Sequence, residues 1–318
     1  MSKLTKGYLI ALVATVFWST TGVFIRYLTE AYHLPPLVLA FWRDGFVCLA
    51  LVAAFALAAP SRLHVDCHHL WFLFVYGFVL SIFNSLWTVS VALNGAAVAT
   101  VLGYGSPALT AIAGWRLFGE RLDALKTIAI ALGIAGCVFV SGAYAPAAWQ
   151  INPWGITTGL LTAVAYAVYS LLGKAAAHRQ IYPWTSLLYT FAFGTIFLLA
   201  YNIVPGWLPG LPKPPDLMWL GSAWVGWGVL VVLAVGPTVG GYGLYAVSLT
   251  YLPASVANLI ATLEPSMTAA LAYLFLHETF TTPQLIGSGL IIVGVMVLRI
   301  GEGRAPSPTS DLQPAAPA

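Results

Sequence analysis

Two ionisable groups stand in the middle of long apolar stretches of this sequence, and both could do chemistry. Glu264 is the eleventh of 23 residues in the stretch 254–276, and Arg43 is the ninth of 24 in the stretch 35–58, beside Asp44. A charge at the centre of a hydrocarbon layer costs about 2.5 to 3.5 kcal/mol on insertion scales, so each calls for a function or a partner. Desolvation disfavours a carboxylate anion, so Glu264 could exchange protons near neutral pH or receive a substrate ammonium. The planar guanidinium of Arg43 could hold a substrate carboxylate through two parallel hydrogen bonds. Together they suit a zwitterion. The plainer alternatives are that Glu264 and Arg43 neutralise each other, or that Arg43 pairs with Asp44 or caps backbone carbonyls.

Uncharged candidates stand around them. Asn84 and Trp87 are three residues apart, as are Tyr242 and Tyr245, so each pair shares one helix face. Trp18 and Tyr166 are aromatic residues near the middle of their stretches, and Tyr104 and Asn258 add polar handles at similar depth, with a helix-to-helix hydrogen bond as the alternative for either. Aromatic walls could stack on an amphipathic substrate or stabilise a cation through ring quadrupoles. With 12 Trp in the chain, most must be interface anchors or packing. The expected substrate-binding set is therefore Glu264, Arg43, Trp18, Asn84, Trp87, Tyr104, Tyr166, Tyr242, Tyr245 and Asn258, with Glu264 also the proton-coupling group. His64, Cys67, His68 and His69 cluster after the second apolar stretch but lack the paired spacing of structural zinc sites, so no metal is expected. No cofactor or enzyme activity is expected either, because the chain has no Gly-rich phosphate loop, no H-E-x-x-H and no G-x-S-x-G.

The elements that must position these groups are membrane helices. Of 318 residues, 60% are hydrophobic and 7% are Asp, Glu, Lys or Arg, which does not fit a water-facing surface. A hydrocarbon core of about 30 Å needs about 20 apolar residues per helix. Ten such stretches occur: 7–28, 35–58, 70–93, 96–118, 124–142, 153–175, 183–204, 222–250, 254–276 and 281–300. They are continuous rather than alternating, which argues for helices over a transmembrane barrel. With the N-terminus in the cytoplasm, ten of the thirteen Lys and Arg lie inside, leaving Arg26, Arg43 and Lys213 outward. That bias predicts cytoplasmic termini. The formal net charge of +3 is small and scattered, so nucleic acid is not an expected partner. Three cysteines, two of them inside apolar stretches, suggest no disulfide framework.

The chain repeats itself. At an offset of 158, Ala96, Val98, Ala99, Pro107, Glu120 and Gly136 fall on Ala254, Val256, Ala257, Pro265, Glu278 and Gly294. At offsets of 148 and 147, Gly7, Trp18 and Arg26 fall on Gly155, Tyr166 and Lys174, and Pro36 falls on Pro183. Each half holds five stretches. Five is odd, so the second copy enters the membrane inverted, and a substrate site is expected at the repeat interface near mid-bilayer. The expected fold is an all-α membrane protein of ten transmembrane helices in two inverted five-helix repeats, 1–147 and 148–303, followed by a disordered cytoplasmic tail over 304–318. Asn94-Gly95 reads as a hairpin turn, Pro205 to Pro215 as an extended spacer and Asn152-Pro153 as a sharp helix start. Pro107, Pro265 and the run Gly236 to Gly241 around Pro237 predict bends.

These residues resemble a known family. Ten helices in two halves, a glutamate closing the stretch in each half (Gly119-Glu120 and His277-Glu278) and Leu263-Glu264-Pro265 are similar to the EamA branch of the drug/metabolite transporter superfamily, over about residues 5–300. His277 departs from the Gly of that pattern. Arg43, in Phe41-Trp42-Arg43, matches an arginine usual in the branch, which favours a role in fold or gating. The resemblance implies a secondary transporter of the inner membrane. It would export a small amphipathic metabolite, an amino acid first, driven by a proton gradient or running downhill, and the aromatic candidates named above favour a bulky or aromatic side chain. Transport of organic cations is the alternative, and a channel or membrane enzyme a remote one. The expected partners are the substrate and the lipid bilayer, with the protein a monomer or weak dimer. Glu120 and Glu278 are expected to cap helices or form interhelical ion pairs.

Overall fold

The computed structural model describes residues 2–148, 152–204, 216–276 and 281–303. The spacer at Pro205 to Pro215, His277-Glu278 and the tail at 304–318 lie outside the described residues. Among the described residues there is no strand, as expected where lipid offers no partner to an open sheet edge. The helices are α1 (Lys3–Tyr32), α2 (Pro36–Ala58), α3 (Cys67–Gly103), α4 (Ser106–Phe118), α5 (Ala124–Ser141), α6 (Pro153–His178), α7 (Pro183–Ile203), α8 (Trp224–Leu233), α9 (Val239–Ser248), α10 (Ala254–Ala261), α11 (Glu264–Leu276) and α12 (Thr282–Gly303). Among the described residues, eight segments are long and apolar enough to cross a bilayer, α8 and α9 counting as one.

The chain's own chemistry sets the boundaries. Asn152 accepts hydrogen bonds from the amides of Trp154 and Gly155, and Pro153 follows at the first helical position, so α6 starts where the sequence predicts. Around Pro237 the backbone widens into a π-helical turn over Ala234–Thr238, which joins α8 to α9 without ending the helix.

The other two prolines act more sharply than bends. Proline withholds an N–H and its ring clashes with the carbonyl four residues earlier. Four residues before Pro107 is Gly103, where α3 ends; four before Pro265 is Ala261, where α10 ends. The two stretches expected as whole helices are thus each broken at the same place in the repeat. α3 itself cannot be a straight rod. Ser90 and Leu102 both lie against Gly159 of α6, whereas a straight helix would hold them about 18 Å apart, so the chain turns back between them.

Helices that the sequence offsets pair with one another cross antiparallel. Gly136 of α5 packs on Gly287 and Ile291 of α12, while Gly294 packs on Ala129 and Gly133. Between α2 and α7, Asn202 donates to the Leu37 carbonyl at 3.0 Å, and Cys48 Sγ lies 3.9 Å from its counterpart Thr195 Oγ1. Two more crossings match: Phe83 stacks on Tyr166 between α3 and α6, and Trp18 lies on Gly241 between α1 and α9. Arg299 donates to Thr5 at 2.8 Å and Lys126 pairs with Glu302 at 3.2 Å, so α1 starts and α12 ends at one face, called here the terminal face.

Candidate functional site

A cavity of about 130 Å³ lies where the two helix breaks meet. Trp18, Thr21 and Ile25 of α1 form one wall, Arg43 of α2 and Phe83, Asn84 and Trp87 of α3 the next. Thr100 and Gly103 near the end of α3, Tyr104 in the first break, Thr162 and Tyr166 of α6, Thr238 in the π turn and Tyr242 of α9 complete the ring. Glu264 enters it as the first residue of α11. Its Oε2 accepts a hydrogen bond from Tyr104 Oη at 2.6 Å. Each break therefore puts one member of this pair in the cavity, and the helix dipole of α11 favours negative charge at its first residue.

Arg43 takes the partner beside it in sequence. Its Nε donates to Asp44 Oδ1 at 3.0 Å, and Nη2 lies 2.9 Å from the same oxygen. Asn84 Nδ2 donates to Asp44 Oδ2 at 3.1 Å. Asp44 is fully buried and Arg43 7% exposed. Such a pair survives burial when further hydrogen bonds complete it, and Asn84 supplies one. Of the alternatives read from sequence, the pairing of Arg43 with Asp44 is the one present. Arg43 and Asp44 offset one another, which leaves Glu264 as a separate ionisable group in the cavity.

Toward the terminal face the cavity ends on packed rings. Trp18 lies 5.1 Å from Tyr242 and 5.0 Å from Tyr245, Tyr242 lies 5.8 Å from Tyr169, and Tyr169 lies 4.9 Å from Tyr76. Below these rings a polar network is closed on itself. Asn258 accepts from Ser106 at 2.9 Å and donates to Thr110 at 3.2 Å and Ser170 at 3.0 Å, while the hydroxyls of Ser170 and Tyr245 lie 2.8 Å apart. The next layer clamps the turn between α9 and α10. Lys174 Nζ donates to the carbonyls of Leu249 and Leu252 at 3.0 and 2.8 Å, and Glu120 accepts from the amides of Ala254 and Ser255 and from the Ser255 hydroxyl. A cation at a helix C-terminus and an anion at an N-terminus match the backbone dipoles. Glu120 is thus a cap.

Eight of the ten expected site residues line the cavity: Trp18, Arg43, Asn84, Trp87, Tyr104, Tyr166, Tyr242 and Glu264. Tyr245 and Asn258 do not. Both are buried in the floor, where protein groups supply their hydrogen-bond partners. Thr21, Ile25, Phe83, Thr100, Gly103, Thr162 and Thr238 line the cavity as well and stand outside the expected set. Helical spacing could have found most of them: Thr21 and Ile25 are three and seven residues after Trp18, and Thr162 and Thr238 are each four before a tyrosine of the cavity.

The EamA-like transporter family model matches the chain twice, over residues 5–142 and 153–300. The chain belongs to this family. It is similar to an uncharacterized transporter of Bacillus subtilis, 25% identical over 91% of this chain and 92% of that one. An uncharacterized inner membrane transporter of Salmonella typhimurium is 25% identical over 96% of this chain and 98% of its own. A protein of known crystal structure shares the fold, with a TM-score of 0.76 and 19% identity over 94% of this chain and 98% of the other. The protein is therefore a multi-pass membrane transporter, and the relatives name no substrate.

Proposed function

We propose that the protein is a secondary transporter that works by alternating access and exports a small amphipathic metabolite, first of all an amino acid. The observation that carries this reading is the cavity at the two helix breaks, with Glu264 and Arg43 among aromatic rings. A zwitterion meets a carboxyl for its ammonium, a guanidinium for its carboxylate and rings for its side chain. The ring of Trp18, Phe83, Trp87, Tyr104, Tyr166 and Tyr242 favours a bulky or aromatic side chain. In this reading the halves 1–147 and 148–303 enter the membrane in opposite senses, and the antiparallel crossings of α5 with α12 and α2 with α7 support it. Both termini would lie in the cytoplasm, on the charge bias of the connections.

Counterflow in proteoliposomes tests the reading. Liposomes loaded with unlabelled phenylalanine or leucine should accumulate the labelled amino acid when they carry the protein. Flux without counterflow would make it a channel, and chemical change of the substrate an enzyme. Glu264 also suits a second reading, transport of organic cations, because Arg43 is already matched by Asp44. Glu264→Gln separates the two. It should abolish cation flux under that reading; under the first it should weaken amino-acid counterflow, since the ammonium loses its partner, without abolishing it, and should remove the effect of a pH gradient.

A further inference from the structure

On the terminal face, the connection from α2 to α3 carries a group of side chains that do not line the cavity. Sequence spacing pointed to His64, Cys67, His68 and His69 there, a set without the pairing of a zinc site. The folded chain brings together a different set. One ligand atom each of Asp66, His68 and His69 lies within 4.8 Å of the others, and Cys67 is not among them. We infer that Asp66, His68 and His69 form a binding site for a divalent transition-metal ion.

Three further observations support it. Asp66 occupies the N-cap of α3, where an aspartate ordinarily accepts hydrogen bonds from the first amides, yet its carboxylate makes no capping bond and is available for another partner. His69 Nδ1 is shielded from solvent and has no hydrogen-bond partner. The imidazoles of His68 and His69 lie 3.7 Å apart between centroids, so two nitrogen-bearing rings already sit side by side. Ligand atoms on a tetrahedral zinc, with bonds of about 2.0 to 2.1 Å, are about 3.4 Å apart. Closing the present spread takes side-chain rotation, and Asp66 and His68 are exposed enough to rotate.

The donor set selects the ion. Two imidazoles with one carboxylate suit zinc, nickel, cobalt or copper, whereas calcium and magnesium take oxygen ligands. Access exists on one side: a cleft of about 230 Å³ is lined by Asp66 and His69, though not His68, together with Arg62, His64, Gln180 and Tyr182. Metal there would tie the start of α3 to a connection that α7 already holds, through Thr185 Oγ1 donating to the Arg62 carbonyl and Tyr189 Oη donating to the Leu63 carbonyl, both at 2.8 Å.

The test is isothermal titration of the full chain in detergent with zinc chloride at neutral pH. One zinc per chain should bind, and Asp66→Asn, His68→Ala and His69→Ala should each weaken it at least tenfold. His33→Asn, an exposed histidine at the other end of α1, should not change it. Cobalt gives an independent readout. The bound ion should show a tetrahedral visible spectrum without thiolate charge transfer, and Cys67→Ser should leave that spectrum unchanged. Absence of zinc binding overturns the proposal. So does binding that survives His68→Ala/His69→Ala, or binding that Cys67→Ser abolishes. Melting temperatures of the metal-free variants should match the parent, which separates loss of the site from loss of the fold.

Discussion

At the scale of the residue, Arg43 shows how a costly charge is made tolerable inside a membrane protein. Its partner is the next residue in the chain, and that partner is held in turn by Asn84, forty residues further on. Removing one member of a buried ion pair typically costs about 3 to 5 kcal/mol, because the other is left buried without compensation, while replacing both with apolar groups of similar volume is often neutral. Asp44→Ala should therefore lower the melting temperature in detergent well below that of the double variant Arg43→Met/Asp44→Leu. Equal losses would mean that the two charges do not depend on one another. The adjacency of Arg43 and Asp44 was legible in the sequence, and the pairing was among the alternatives it offered. The part played by Asn84 was not, since a contact across forty residues depends on how α3 lies against α2. For the same reason the direction in which Asn258 faces was not legible. Its depth along its stretch was readable, but whether it faced a void or the hydroxyls of Ser106, Thr110 and Ser170 depended on the rotation of α10 about its axis.

At the scale of the element, the breaks before Pro107 and Pro265 do what an unbroken helix cannot. They free backbone at mid-depth, and Tyr104 and Glu264 are the side chains found there. Irregular backbone at that depth is tolerated where it is buried in protein or lines a cavity. Pro265→Ala should restore the missing N–H and favour continuation of α10 into α11, shifting Glu264 relative to Tyr104. The expected result is a variant that folds with an unchanged or raised melting temperature but loses most of its counterflow, measured on one preparation. Unchanged counterflow would reduce the break to a packing feature. A neighbouring contact is tighter. A methyl group at Gly241 would meet the indole of Trp18, and overpacking of this kind costs about 1 to 3 kcal/mol. Gly241→Ala should lower the melting temperature by that order and displace Trp18 from the cavity wall, with a change in its fluorescence. The prolines, the repeat offset and the ten apolar stretches could all be read in advance. Hydropathy could not show that two stretches would be broken, because it registers how apolar a segment is and not whether its backbone hydrogen bonds continue.

At the scale of the whole molecule, the cavity and its floor differ in what they are closed against. The lining on α1 runs from Trp18 to Ile25, the half leading away from the terminal face, and on α6 it stops at Tyr166, while Tyr76, Tyr169, Tyr245 and the Asn258 network fill the space beyond. The clamp of Lys174 and Glu120 on the turn from α9 to α10 lies farther still toward that face. If transport opens the two sides in turn, the floor has to separate during the cycle, and the hydrogen bonds among Asn258, Ser170 and Tyr245 are what must break. Single cysteines in a background lacking Cys48, Cys67 and Cys137 make this measurable. Thr100→Cys should react with an impermeant thiol reagent from the face opposite the termini, and substrate should protect it. Ser170→Cys should stay unreactive at rest and become reactive from the terminal face when substrate is supplied, since turnover populates the state in which the floor is open. A fixed pore would label Thr100→Cys and Ser170→Cys alike with or without substrate, because nothing in it would couple the occupancy of the cavity to the opening of the floor.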